Sequence, residues 1–450
     1  MKKKMVTLLL VLLVACGCMA GCGNSADDTK SSKGGTTELT LWCSYTEAST
    51  TVLQQMVDRF NEEFDEYHMT IENAGTVVQF RTKLSTMRKA DYPSVFFGIN
   101  NAIREYKESA YTVPIQQYLD KDKEKWTDDI YENVRESYSD LDGNMIGSPL
   151  GVSARGYMVN LTALEGAGYK PEDITSFEKL AAASQAAVDK GLVKYGYCAG
   201  DGSDIYDILL YQGVDITDAG NGYSGDITKT MYDQGDTYQA LKKLLTLQSG
   251  LYKNNVGYVN TGGTQGGLSL FTSGSLLFWT CTNSFVYEIE DMNLGFEWGF
   301  IPHVGVDENA AYKNCAKIEG TGMFIANTGN EAEMQGAYEF IKYAARPENQ
   351  VFWATYRGYV PYTQAAAEHE DWVKYQQEVF PASVRLIEMI QNTPEEFKFP
   401  YINVVSQIGS ANSDLNNYVM TQPDGDLDGY ISQAAKNINE SIEILNMRGQ

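Results

Sequence analysis

From residue 38 onward the apolar positions follow two rhythms, and the way these alternate sets the architecture. Residues 38–43 alternate and are rich in strand formers, so they read as a β-strand. Ser44-Tyr45-Thr46-Glu47 follows as a capping box, with Ser44 as N-cap and Glu47 at N3. Leu53, Met56, Val57, Phe60 and Phe64 then recur at helical spacing, an apolar stripe that must pack on a sheet. Residues 69–72 predict a second strand, Phe80, Leu84 and Met87 a second helix, and residues 94–99 a strand apolar on both faces. This β-α-β-α-β order predicts an α/β fold with a mostly parallel sheet.

The pattern restarts after the turn Asp142-Gly143-Asn144. Ser148-Pro149-Leu150-Gly151 is extended chain, where a first crossing between two lobes is expected. Thr175-Ser176-Phe177-Glu178 is a second capping box that opens an alanine-rich helix stopped by Gly191, and residues 193–199 give the next strand. Helices are predicted at 204–211 and 237–248, with Gly250 as the C′ residue of the latter, and a buried strand at 275–280. Trp279 lies in that strand pattern and reads as core. So do Phe340, Phe352 and Trp353, which sit on helical spacing.

The N-terminus has a different character. Lys2, Lys3 and Lys4 precede an apolar run at 5–14, interrupted only by Thr7 and too short to cross a membrane, and small residues then lead to Ala20-Gly21-Cys22-Gly23. This resembles a bacterial lipobox, with Cys22 as the lipidated residue; Leu13-Val14-Ala15-Cys16 is the rival. Residues 1–21 read as a lipoprotein signal peptide. Residues 22–37, with no large apolar side chain, read as a flexible linker.

Removing residues 1–21, which carry three lysines and no acid, takes the formal charge from −24 to −27. A field of that sign repels phosphate backbones and anionic headgroups, which argues against nucleic acid as a partner and leaves a lipid anchor as the contact with membrane. The roughly 413 residues beyond the linker exceed what one core usually supports, so two lobes are expected. Cys43, Cys198, Cys281 and Cys315 form no C-x-x-C pair and match no zinc or redox spacing. Buried free thiols are the simplest reading. Asp424-Gly425-Asp426-Leu427-Asp428-Gly429 imitates an EF-hand loop, but position twelve is Ala435, so a turn and an acidic helix start are expected, with no metal and no cofactor.

Leu39-Thr40-Leu41-Trp42 with the Phe60 helix and the Pro93-Ser94-Val95 strand resembles the N-terminal half of the family 1 bacterial extracellular solute-binding proteins. Ala337-Tyr338-Glu339-Phe340-Ile341-Lys342, Arg346-Pro347-Glu348-Asn349-Gln350 and Arg357-Gly358-Tyr359-Val360-Pro361 resemble that family's long helix and its glycine, aromatic, proline signature. The resemblance implies a periplasmic-binding-protein-like fold of type II, two lobes hinged by crossing segments. One lobe would hold residues 38–147 and 293–346, the other residues 148–292 and 347–450. It also implies a monomeric, non-enzymatic receptor that closes on a sugar in the cleft and docks on ABC transporter permease subunits. With the lipobox, it would be lipid-anchored on the extracellular face of a Gram-positive cell membrane.

Carried over by position, Ser44, Tyr45, Thr46 and Glu47 after the first strand are candidate ligand contacts, although Ser44 and Glu47 also serve as helix caps. Asn100 and Asn101 follow the third strand, and Ser153 lies in the cleft-lining segment. For Arg155 a surface ion pair is the simpler role. Asp201, Tyr206, Asn283 and Phe285 follow second-lobe strands and supply the amide, carboxylate and ring that a sugar site needs. Gly320 and Thr321 form a close-approach segment, and Tyr359 is a cleft aromatic. The glycerol-phosphate-binding branch keeps an arginine in the segment corresponding to 396–406, where this chain has only Lys398, so a neutral sugar is expected ahead of an anionic ligand.

The rival class is an extracellular lipoprotein enzyme acting on carbohydrate. The three histidines, His68, His303 and His369, adjoin no serine motif, and Gly151-Val152-Ser153-Ala154-Arg155 misses a nucleophile elbow at its last position. A pair of carboxylates is all a glycosidase requires, and 59 acidic residues leave that reading open.

Overall fold

The alternating segment at 38–43 forms the first strand of a mixed sheet in the computed structural model, which describes residues 35–448 other than 46, 76 and 261. The predicted signal peptide, Cys16, Cys22, Thr46 and most of the linker lie outside the described residues. Among the described residues the strands are β1 (Thr37–Cys43), β2 (Tyr67–Asn73), β3 (Val95–Ile99), β4 (Thr112–Val113), β5 (Ser148–Asn160), β6 (Tyr195–Cys198), β7 (Leu276–Thr282), β8 (Trp298–Pro302) and β9 (Ile318–Ala326). Their order is β2-β1-β3-β9-β5-β7-β6, with β4 on β9 and β8 on β5. β1 is parallel to β2 and β3, and β6 to β7, as the β-α-β units require. The long strands β5 and β9 join antiparallel to their neighbours and to each other.

These two strands make the hinge. The first half of β5 pairs with β9 in lobe 1, and its second half pairs with β7 and β8 in lobe 2. A third crossing lies beside them, where the Val360 N–H donates to the Val152 carbonyl at 2.9 Å. In lobe 1 the stripe of helix Glu47–Glu63 packs as its periodicity demands: Phe60 is fully buried, 4.7 Å from Phe64 and 5.3 Å from Phe340 between ring centroids. In lobe 2 the helices Phe177–Asp189, Gly235–Lys253, Val405–Thr421 and Leu427–Arg448 enclose a second core around β6 and β7.

Several boundaries differ from the sequence expectation. Helix Glu47–Glu63 starts at Glu47, too late for Ser44 to be its N-cap. At the second box the cap is Ser176, whose Oγ accepts from the Lys179 N–H at 3.3 Å, while Thr175 donates to Glu308 at 2.7 Å. Gly250 lies inside helix Gly235–Lys253 rather than after it. The segment 293–346 is divided: β8 pairs with the distal half of β5, the Phe177 N–H donates to the Gly305 carbonyl, and the chain re-enters lobe 1 only at β9. Helix Pro347–Arg357, expected in lobe 2, packs on lobe 1, with Trp353 5.4 Å from Tyr45 and Arg59 4.2 Å above Phe352. Apolar periodicity says that a face is buried, not which sheet buries it.

Cys43, Cys198, Cys281 and Cys315 are all buried and free. Burial pushes the Cys198 and Cys315 thiols up to about 12, so they are inert at neutral pH. Helix Leu427–Arg448 occupies most of the EF-hand-like segment, and Asp426 accepts from the Gly429 N–H at 3.1 Å.

Candidate functional site

The β5–β9 ribbon has one face in the core and one turned toward the space between the lobes. Leu150, Val152 and Ala154 point inward and are essentially inaccessible. Alternation therefore sends Ser153 and Arg155 to the other face, where Ser153 pairs with Glu319 and Gly151 with Thr321. With Lys317 just before β9, these side chains form a row about 13 Å long at strand rise. Gly320 lets the two strands meet: its φ is +155°, and a Cβ there would lie 2.0 Å from the Gly151 carbonyl oxygen.

The end of the row at the hinge is built from hydroxyls, aromatic rings and one guanidinium. The Tyr45 hydroxyl donates to Thr321 Oγ1 at 2.9 Å, and Thr321 and the Tyr359 hydroxyl lie 3.2 Å apart. Tyr359 follows Gly358, the αL cap of helix Pro347–Arg357, and packs against Gly151, where an added Cβ would strike its ring. Arg357 lies 5.2 Å from the Tyr45 ring, 4.3 Å from Tyr287 and 5.9 Å from Tyr359, and donates to Ser49 at 2.8 Å. Burial, and then its Tyr359 neighbour, raise the Tyr45 hydroxyl well above its ordinary range, so it remains a neutral donor and acceptor.

The lobe 2 end is a charge network. Arg155 lies 3.3 Å from Asp201, 3.6 Å from Asp207 and 3.4 Å from Glu319. Lys317, itself 2% exposed, pairs with Asp207, lies 3.4 Å from Glu319, and sits 3.5 Å from the Phe399 ring. Burial alone would raise the Asp207 carboxyl; Lys317, the neighbouring His303 and Arg155 outweigh it and hold it below the ordinary range. Asp204, also fully buried, goes the other way: desolvation dominates, although Tyr197 donates to it at 3.1 Å. Asp204, Asp207 and Lys317 are buried behind this network, and Arg155, Glu319 and Asp201 at its edge offer carboxylates and a cation already oriented by one another, the kind of surface that reads hydroxyl groups without reorganising.

On the flank of the cleft the lobes touch. Arg104 of lobe 1 pairs with Asp226 of lobe 2 and donates to the Tyr401 carbonyl at 3.4 Å, and Lys398 lies 3.6 Å from Glu136. Outside these contacts a polar cavity of about 550 Å³ opens between Asp120, Glu136 and Asp140 on one side and Tyr223, Lys398 and Tyr401 on the other.

Of the residues singled out from sequence, Tyr45, Ser153, Thr321 and Tyr359 share the ribbon's face, with Gly320 behind them. Asp201 joins through Arg155, whose ion pairs are mostly buried rather than superficial. Tyr206 is buried and stacks 6.1 Å from Phe399, beside Lys317. Asn101 is partly buried, and Asn100 is buried and donates to the Ile318 carbonyl at 3.0 Å. Ser44 is half-buried after β1, and Glu47 is exposed on its helix. Asn283 does not face the cleft: it is fully buried, accepting from the Ala154 N–H at 2.7 Å and donating to the Gly358 carbonyl at 2.6 Å. Phe285 packs 5.1 Å from Trp279. Sequence reasoning missed Glu319, Lys317, Asp207 and Arg357 as site residues. For Lys317-Ile318-Glu319 the signal was there, two charges flanking an apolar residue at the mouth of an apolar strand.

The sequence pattern described as bacterial extracellular solute-binding protein matches residues 55–381. The sn-glycerol-3-phosphate-binding periplasmic protein UgpB of Pectobacterium atrosepticum is 22% identical over 338 residues, covering 74% of each chain. Among solved structures, the substrate-binding protein of Listeria monocytogenes in complex with cycloalternan superposes with a TM-score of 0.73 at 17% identity, covering 91% of this chain and 100% of that one. UgpB of Mycobacterium tuberculosis in complex with glycerophosphocholine gives 0.72 at 15% identity, covering 92% and 100%. The cyclic α-maltosyl-1,6-maltose binding protein of Arthrobacter globiformis gives 0.69 at 17%, covering 91% and 99%.

Proposed function

This chain belongs to the bacterial extracellular solute-binding protein family, and from that premise we propose that it is the receptor of an ABC importer, binding a sugar or oligosaccharide between its lobes. The observation that carries the reading is the face of the β5–β9 ribbon. There the hydroxyls of Tyr45, Thr321 and Tyr359 and the mutually paired Arg155, Glu319 and Asp201 form one polar row backed by aromatic rings. A saccharide needs that combination, hydrogen-bonding groups for its hydroxyls and flat apolar surface for its C–H faces. Since the row lies on the strands that join the lobes, a ligand seated on it would bias their closure, and closure is what a permease can read. No covalent step is required of any residue.

The receptor would act as a monomer at the extracellular face of a Gram-positive membrane, tethered through lipid on Cys22. Residues 22–37 would then keep it at high effective concentration beside the permease subunits. Cys22→Ala should release it from the membrane fraction; retention there would point to another anchor.

A thermal-shift screen over mono- and oligosaccharides tests the binding reading. A ligand at 100 times its Kd adds about 2.7 kcal/mol of stability. Stabilisation by amino acids or peptides alone would refute it. The UgpB relatives favour a second reading of the same cleft, a glycerol phosphate derivative.

A further inference from the structure

Arg357 differs from the other cations around the cleft. Arg155 is paired with three carboxylates and Lys317 with two. Among the described residues Arg357 forms no ion pair within 4.0 Å. It donates to Ser49 at 2.8 Å and bonds the Tyr287 hydroxyl, which also bonds Glu288; three tyrosine rings lie against it, and its Nε is buried without a hydrogen-bond partner. Tyrosine rings recover part of the cost of taking a guanidinium out of water through their negative faces, but they do not neutralise it. Ser49 lies in the first turn of the 17-residue helix Glu47–Glu63, whose dipole adds positive potential there, while the C-terminal dipole of helix Pro347–Arg357, which Arg357 ends, offsets part of the guanidinium charge. The hydroxyl chain Tyr45–Thr321–Tyr359 adjoins it.

We propose that the hinge end of the cleft is an anion subsite centred on Arg357, which takes a carboxylate or phosphate carried by the solute. This rests on the reading of the cleft as the binding site for a hydroxylated solute, and it names that solute's class: a polyhydroxylated body with one acidic group. The acid would lie against Arg357 and the tyrosine hydroxyls, and the hydroxyls would run along the ribbon toward Glu319, Arg155 and Asp201. The two ends thus differ: a guanidinium without a direct carboxylate partner at the hinge and a carboxylate-rich network at lobe 2, which orients an asymmetric ligand in one direction. Two chemistries supply the acidic group, a uronate carboxylate or a glycerol phosphate. The segment near Lys398, where the sequence resemblance looked for an arginine, is not needed for either.

The test is calorimetric titration of the intact protein with matched pairs: glucose against glucuronate, a neutral disaccharide against an acidic one, and glycerol against sn-glycerol 3-phosphate, for wild type, Arg357→Met and Arg357→Lys. The acidic member should bind at least about tenfold tighter in wild type, with the advantage shrinking as salt rises. Arg357→Met should remove most of the acidic member's advantage over its neutral partner, and Arg357→Lys should restore part of it. Equal or tighter binding of the neutral members overturns the subsite and leaves the saccharide reading standing. Arg357-dependent binding of glycerol phosphate without any saccharide does the reverse. Equal losses for both members in Arg357→Met would make the residue a packing element of the hinge, and binding of none of the probes would overturn both proposals. If Arg357→Met does not fold, the wild-type pairs and their salt dependence still decide.

Discussion

Asn283 donates from Nδ2 to the Gly358 carbonyl at 2.6 Å, while its Oδ1 accepts from the Ala154 N–H at 2.7 Å. One fully buried amide thus fastens the end of β7 in lobe 2 to two of the crossing segments, β5 and the turn that carries Tyr359. Neither backbone group has water to fall back on. Asn283→Ala should cost about 2–4 kcal/mol, and Asn283→Asp more, because a carboxylate would face the Gly358 carbonyl. Urea unfolding with an unchanged slope checks this; a midpoint equal to wild type would show that the clamp contributes nothing.

Lys317 and Asp207 are a pair buried at 2% and 1% side-chain exposure. Removing one partner leaves a desolvated charge, so Asp207→Asn and Lys317→Met should each destabilise by about 3–5 kcal/mol, while the double variant should recover much of the loss. A double-mutant cycle by chemical denaturation measures the coupling. Simple additivity would mean that Arg155, His303 and Glu319 carry the site without this pair.

The two buried aspartates of lobe 2 predict opposite pH effects. Asp207 is held below the ordinary carboxylate range, so its contribution is present above about pH 4 and is lost as pH falls through its lowered pKa. Asp204 is raised by burial, so the stability of its protonated form is present at low pH and is lost as pH rises through its raised pKa. Asp204→Asn, which keeps the acceptor for Tyr197, should therefore gain on wild type as pH rises from about 4 toward 7. A difference independent of pH across that range would mean Asp204 is not desolvated.

The elements that were legible in sequence are those whose burial is local. The stripe through Phe60 and the apolar runs of β3 and β7 needed only their own periodicity, and residues after strand ends, such as Tyr45 and Asp201, were placed near the cleft by topology. What was not legible depended on partners far along the chain. Asn283 has the chemistry of a sugar ligand, and only the approach of Ala154 and Gly358 turns it into a clamp. Arg357 read as part of a signature because its distinguishing property, the lack of a carboxylate, exists only once the fold surrounds it with tyrosines. The assignment of 298–302 to lobe 1 failed for the same reason: β5 is long enough to serve both lobes, and no local pattern says where its pairing changes.

If the solute sits on the β5–β9 ribbon between the lobes, a change of one ribbon side chain must alter its affinity. The saccharide giving the largest thermal shift should bind wild type at one site per chain, and Glu319→Gln should weaken it by about tenfold or more, the cost of losing a charged hydrogen-bonding group. Lys89→Ala, on the surface away from the ribbon, should leave it unchanged. Equal affinity in wild type and Glu319→Gln would place the solute away from the ribbon, and no saccharide binding at all would rule out a sugar receptor.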